Sequence, residues 1–236
     1  MRYLGFTPLV VWMVAATISS LVNAPPAAAS VGLYPGMPIQ LSTGGTCSLS
    51  FLASNDDGDR LAVTAGHCST ALKQIFYSKD GTKIGYVMSR ADDVSGTSSY
   101  DFGYTMIRLY SDATYTATAY FKKYRNPSEG TWVWKYGERT QETEGKVIGV
   151  DYSDDDSHPS YSVIKSTMIT LPGDSGAPWY TGSDAGPVLV GIHVGSVTRK
   201  SDNSFQYSYG FPAHSMIRYI RKQSKNWGGG FNVVGD

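Results

Sequence analysis

The chain has 236 residues, 20 basic and 20 acidic, and so no formal net charge. Balanced charge gives nucleic acid and charged membranes no electrostatic hold on it, and 41% hydrophobic content is that of a globular protein rather than a disordered one. Only 17% of residues are charged, while 26 Gly and 17 Tyr suit a turn-rich β protein working outside the cell.

Residues 1–29 read as a secretory signal peptide. Arg2 is the only charge before an apolar run from Leu4 to Val22, and a small-residue stretch ends at Ala29, where cleavage is expected. The mature protein is then secreted, extracellular or in the cell envelope, with no stable membrane association. In that compartment Cys47 and Cys68 are expected to form one disulfide. His67, His158, His193 and His214 lack ligand-type spacing, so no metal and no cofactor is expected.

Short alternating runs separated by Gly, Asp, Asn and Ser predict an all-β, antiparallel sandwich or barrel. The expected strands are Cys47–Leu52, Arg60–Thr64, Lys83–Met88, Tyr104–Leu109, Thr131–Tyr136, Lys146–Val150, Tyr161–Lys165, Val188–Val194 and Phe205–Tyr209. Asn55-Asp56-Asp57-Gly58-Asp59 reads as a tight turn, lacking the spacing and distal Glu of a calcium loop. Tyr110 to Gly130 reads as a connection. Asp154, Asp155 and Asp156 read as a solvated loop, with calcium the rival reading. One helix is expected after Pro212, with Met216, Ile217 and Ile220 on its inner face and Gly228–Gly230 ending it.

The chemistry centres on Thr170–Trp179, and within it on Gly173-Asp174-Ser175-Gly176. A serine between glycines on a tight turn exposes its hydroxyl, and the amides of Gly173 and Ser175 can face the oxyanion formed on attack. Ser175 needs a base, and His67 is set in Val63-Thr64-Ala65-Gly66-His67-Cys68, where a strand meets small residues beside the expected disulfide. An acid must orient that imidazole. Asp101 opens an apolar strand, where a carboxylate needs a partner, and is preferred over Asp92 and Asp93, which read as solvated.

The order His67, Asp101, Ser175 resembles a chymotrypsin-like serine protease of the compact type exported by bacteria. The resemblance rests on Thr-Ala-Gly-His-Cys at 64–68, Asp-Phe-Gly at 101–103, Gly-Asp-Ser-Gly-Ala-Pro at 173–178 and the C-terminal helix, and it spans about residue 40 to the end. It implies two antiparallel six-stranded β-barrels, residues 30–118 with His67 and Asp101, and residues 119–236 with Ser175 and the helix. The implied activity is hydrolysis of peptide bonds in a protein or peptide substrate through an acyl-enzyme, by a monomer. Asp174 would turn inward to shape the oxyanion loop, and a buried Arg as its partner would dispense with an activating cut.

In this family the primary pocket is walled by residues just before the nucleophile and by a later strand. Ile169 stands where trypsin-like relatives carry an acid, so cleavage after Lys or Arg is not expected. Gly191-Ile192-His193-Val194-Gly195, together with Thr170, is similar to the pocket of glutamyl endopeptidases, which implies a Glu or Gln preference with His193 and Thr170 binding the side chain. The rival readings are small or apolar specificity, and a protease-fold binding protein with little turnover. An α/β-hydrolase esterase is disfavoured by the order His, Asp, Ser.

Overall fold

The structure, a computed structural model, describes residues 30–95, 100–115, 120–121, 123–153, 157–223 and 229–233. The expected signal peptide and Asp154–Asp156 lie outside the described residues. No helix among the described residues is long and apolar enough to cross a membrane.

Two β layers carry the fold. The first is an eight-stranded antiparallel sheet in the order Asn232–Val233, Phe51–Ser54, Arg60–Ala65, Tyr104–Leu109, Lys83–Ala91, Ile75–Ser78, Pro38–Leu41 and Thr46–Ser48. The second is a closed ring of six strands: Val188–Thr198, Pro178–Thr181, Trp132–Gly137, Gln141–Asp151, Val163–Ser166 and Phe205–Pro212, the last pairing back with the first. A short strand, Lys123–Tyr124, runs parallel along Val188–Leu189. The architecture is therefore the expected all-β, chymotrypsin-like one, built from one closed barrel and one curled half-barrel sheet. The second closes with six strands, while the first is a curled sheet whose end strands do not pair with each other.

Period-two alternation explains the strands. In Trp132–Gly137 the even positions face outward, and Val133, Lys135 and Gly137 are buried. The inward positions of the first sheet, among them Phe51, Leu61, Val63, Phe76, Ile84 and Met106, are inaccessible to solvent. Each such side chain contributes about 1.5–3 kcal/mol relative to exposure. Bulges bend the long strands enough to close the ring, one between Val147 and Gly149 and another between His193 and Gly195.

The region from Tyr110 to Gly130, expected as plain connection, contains two short strands, Ala113–Tyr115 and Lys123–Tyr124. The predicted helix forms as Ala213–Gln223 with Met216, Ile217 and Ile220 buried. Asn126 Oδ1 accepts from the amides of His214 and Ser215 at 3.0 and 3.4 Å, satisfying donors that the first helical turn leaves free. Beyond the helix, Val233 pairs with Ala53 of the first sheet.

Candidate active site

Cys47 and Cys68 form the expected disulfide. It fixes the 3-10 turn Gly66–Cys68 that follows the strand Arg60–Ala65 and carries His67. Cys68 Sγ also lies 3.9 Å from the carbonyl oxygen of Ser175, so the covalent link holding the imidazole touches the backbone of the candidate nucleophile.

The carboxylate against His67 belongs to Asp93, not Asp101. Asp93 Oδ2 lies 2.6 Å from His67 Nδ1 and accepts the His67 amide at 3.0 Å, while Oδ1 accepts the Gly103 amide at 2.7 Å. Only 6% of the Asp93 side chain is exposed, against 41% for His67. Two glycines make this approach possible: a Cβ on Gly66 would lie 2.8 Å from Asp93 Oδ1, and one on Gly103 would lie 1.9 Å from the Ala91 carbonyl. Asp101 instead pairs with Val94 in a two-stranded ladder and stays half-buried. The rule that a buried carboxylate needs partners holds, but register assigns the partners to Asp93. With Nδ1–H donating to Asp93, Nε2 is left as the basic nitrogen.

Ser175 sits on a turn closed by the Asp174 amide donating to the Leu171 carbonyl at 3.0 Å and the Ala177 amide to that of Asp174 at 2.8 Å. Gly176 has φ +86° there, and a Cβ on it would lie 2.0 Å from Thr64 Oγ1 and 2.4 Å from the Ser48 carbonyl. Its lack of a side chain lets the turn press against the strand that leads to His67. Ser48, unremarked in the sequence, joins the two halves: its amide donates to the Ser175 carbonyl at 2.7 Å and its hydroxyl to the Gly173 carbonyl at 3.0 Å. The amides of Gly173 and Ser175 donate to no other group among the described residues.

Asp174 turns inward, as expected, and is fully buried. Its carboxylate accepts the amides of Arg139, Thr140 and Leu171 at 2.9, 3.0 and 3.0 Å and the Thr140 hydroxyl at 2.7 Å. The cation beside it is Lys135 rather than an Arg, with Nζ 3.4 Å from Oδ2 and both side chains inaccessible. Burial alone would raise the Asp174 pKa, but the bonds from Leu171 and Thr140 and the charge of Lys135 outweigh it, so the carboxyl is lowered overall. Lys135 is lowered too, because burial outweighs the attraction of Asp174. The stabilisation of the pair therefore comes from the carboxylate side. A lysine on the inward phase of an alternating strand was the available signal for it.

His193 is buried at the bulge. Its amide donates to the Ala177 carbonyl and its carbonyl accepts the Gly176 amide, both at 2.8 Å, which knits it to the residues after Ser175. Its ring stacks on Trp179 with centroids 6.2 Å apart, and neither His193 Nδ1 nor Trp179 Nε1 has a partner among the described residues. Burial pushes the His193 pKa down to about 3, with Asp174 opposing and Lys135 and His67 adding to the shift. Thr170 is also buried, but it meets Ser208 (Oγ1 to Oγ 2.6 Å), whose hydroxyl also reaches the Met168 carbonyl at 2.7 Å. Among the described residues no hydrogen bond joins Thr170 to His193. His158 and His214 are exposed.

An open sheet and a closed barrel clamped around a histidine and a serine define a protease architecture. No family model matches the chain. It is 30% identical over 166 residues to glutamyl endopeptidase 2 of Streptomyces griseus, covering 65% of this chain and 80% of that one. Serine protease 2 of Streptomyces fradiae is 30% identical over 162 residues, with 64% and 88% covered. Serine protease 1 of the same organism is 29% identical, but the chain spans only 42% of its length. Among solved structures, a glutamic acid specific serine protease superposes with a TM-score of 0.59 at 22% identity, over 79% of this chain and 97% of that one. Thermobifida fusca protease A gives 0.62 at 18% identity, over 86% and 99%. The chain belongs to the chymotrypsin-like serine proteases.

Proposed function

We propose that the protein is a secreted serine endopeptidase that cleaves peptide bonds through an acyl-enzyme on Ser175, with His67 as general base and Asp93, in place of Asp101, as the acid that orients it. The observation that carries this reading is the 2.6 Å contact between the buried Asp93 carboxylate and His67 Nδ1, beside a disulfide that touches Ser175. His67 Nε2 takes the Ser175 proton as Oγ attacks the substrate carbonyl, and Asp93 stabilises the imidazolium. The Gly173 and Ser175 amides hold the oxyanion, each worth about 10²–10³ in kcat. The imidazolium then protonates the leaving amine, and water activated by His67 releases the acyl group.

The substrate residue before the scissile bond is proposed to be Glu or Gln, bound by His193 with Thr170 and Ser208 nearby. A neutral imidazole offers one N–H and one lone pair. These match a Gln amide as well as one oxygen of a carboxylate, so discrimination between the two acyl donors is expected to be modest.

Peptides differing only in that residue test both parts. Ser175→Ala should abolish turnover and fluorophosphonate labelling. Asp93→Asn should lower kcat about 10⁴-fold, while Asp101→Asn stays within about threefold of the parent. The reverse pattern would return the acid to Asp101. His193→Ala should erase the Glu/Gln preference, and a preference for small or apolar residues in the parent would remove the pocket assignment. A folded parent that neither turns over nor labels would mark a binding protein.

A further inference from the structure

The outer face of the second barrel carries aromatic side chains in the positions where a strand surface ordinarily shows polar ones. Trp132, Trp134 and Tyr136 project from the same face of one strand. In register across the sheet, Trp134 is flanked by Tyr180 on one side and Glu144 on the other, Tyr136 by Glu142, and Trp132 by Lys146. The Trp134 and Tyr180 rings stack with centroids 6.5 Å apart, and Tyr120 meets Tyr180 edge-on at 6.0 Å. Trp132 is 53% exposed, Tyr120 47% and Tyr34 50%. A cavity of about 200 Å³ opens between Tyr34, Pro35, Tyr120, Tyr136, Pro178 and Tyr180.

Tyr180 also packs against the core, whereas Trp132, Tyr120 and Tyr34 stand largely in solvent. Several large rings, exposed or half-buried on one strand face, mark a binding surface rather than ordinary surface composition. The charge decides what it binds. Glu142 and Glu144 are exposed beside the rings, and burial pushes the Tyr180 phenol up, with the charges of Tyr120 and Glu142 adding to the shift. The cations nearby are at the margins. Lys146 stands at the Trp132 end, and Lys79 is 3.9 Å from Glu138. Ring faces are negative and attract guanidinium or ammonium groups within about 6 Å, and carboxylates alongside add a second attraction of the same sign.

We propose that this aromatic and acidic face is a docking surface for a basic polypeptide segment, with Arg or Lys side chains laid over Trp132, Trp134 and Tyr180 and their charges met by Glu142 and Glu144. The face lies on the hairpin whose turn grips Asp174 through Arg139 and Thr140, so a docked protein is held by the same element that braces the nucleophile loop.

The test uses the full chain carrying Ser175→Ala, so that no probe is cut, and fluorescence anisotropy of a labelled hepta-arginine peptide. Binding should be saturable, weaken as salt rises, and fall about tenfold or more in Glu142→Gln/Glu144→Gln and about fivefold or more in Trp134→Ala. In the Ser175 parent, cleavage of a short neutral peptide should be unchanged by the two Glu substitutions, which separates docking from the chemistry. Absence of hepta-arginine binding, or binding that both variants retain in full, would overturn the proposal. So would binding of a neutral hexasaccharide such as cellohexaose in its place, which would make the rings a glycan platform.

Discussion

Replacing Lys135 by Met removes the cation that, among the described residues, is in contact with the buried Asp174 carboxylate. Breaking a buried ion pair by deleting one partner generally costs about 3–5 kcal/mol, because the remaining charge is left uncompensated. Two features place Lys135→Met at the low end. Asp174 keeps four hydrogen-bond donors, and the variant no longer buries an ammonium whose own pKa is pushed down by desolvation. A loss of about 3 kcal/mol is therefore expected near neutral pH, read from urea unfolding followed by tryptophan fluorescence. The sign with pH is also fixed. A carboxyl whose folded pKa is lowered contributes stability above its unfolded pKa and loses it as pH falls through the folded one. Without Lys135 the Asp174 pKa rises, so the deficit of the variant should shrink toward acid. Peptide cleavage should lose kcat more than it raises KM, since Asp174 shapes the oxyanion loop rather than the substrate pocket. A variant within about 0.5 kcal/mol of the parent at neutral pH, with unchanged kcat, would refute the view that this pair holds the loop.

Two further outcomes follow from the same region. His193 has its folded pKa depressed from 6.5 to about 3 by burial, so the folded state excludes a proton that the unfolded chain binds. Its stability contribution is whole above the unfolded pKa and declines as pH falls toward the depressed folded one. On acidification the parent should accordingly lose urea midpoint relative to His193→Phe, and parallel pH curves would show that His193 is not the titrating group. Gly176→Ala places a Cβ 2.0 Å from Thr64 Oγ1 at φ +86°, which should cost about 3 kcal/mol or more and abolish fluorophosphonate labelling. A labelled variant of parental stability would mean that the turn tolerates displacement.

What could be read from the sequence was whatever is local. Alternation located most strands, the apolar spacing of Met216, Ile217 and Ile220 located the helix, and the glycine-flanked Ser175 and the His67–Cys68 turn announced themselves by their neighbours. Asp93 did not, because three carboxylates lie within ten positions and only the pairing register decides which one meets the imidazole. The glycines that admit it, Gly66 and Gly103, are separated by an entire hairpin. Lys135 was legible in principle, since a charge on the buried phase of Trp132–Gly137 demands a partner, but the phase becomes clear only when the whole strand is written out. The openness of the first sheet was not legible at all. It depends on a pairing between Val233 and Ala53 that no local pattern foretells.

That pairing bears on how the molecule comes into being. Until residues 232 and 233 arrive, Phe51–Ser54 is a bare strand edge, with unpaired amides and carbonyls that can recruit another chain. Contacts of such long sequence separation also form late, because the loop they close must be ordered first. A chain that has not yet made Asn232–Val233, or has lost them, would thus expose a sticky border beside Phe51–Ser54.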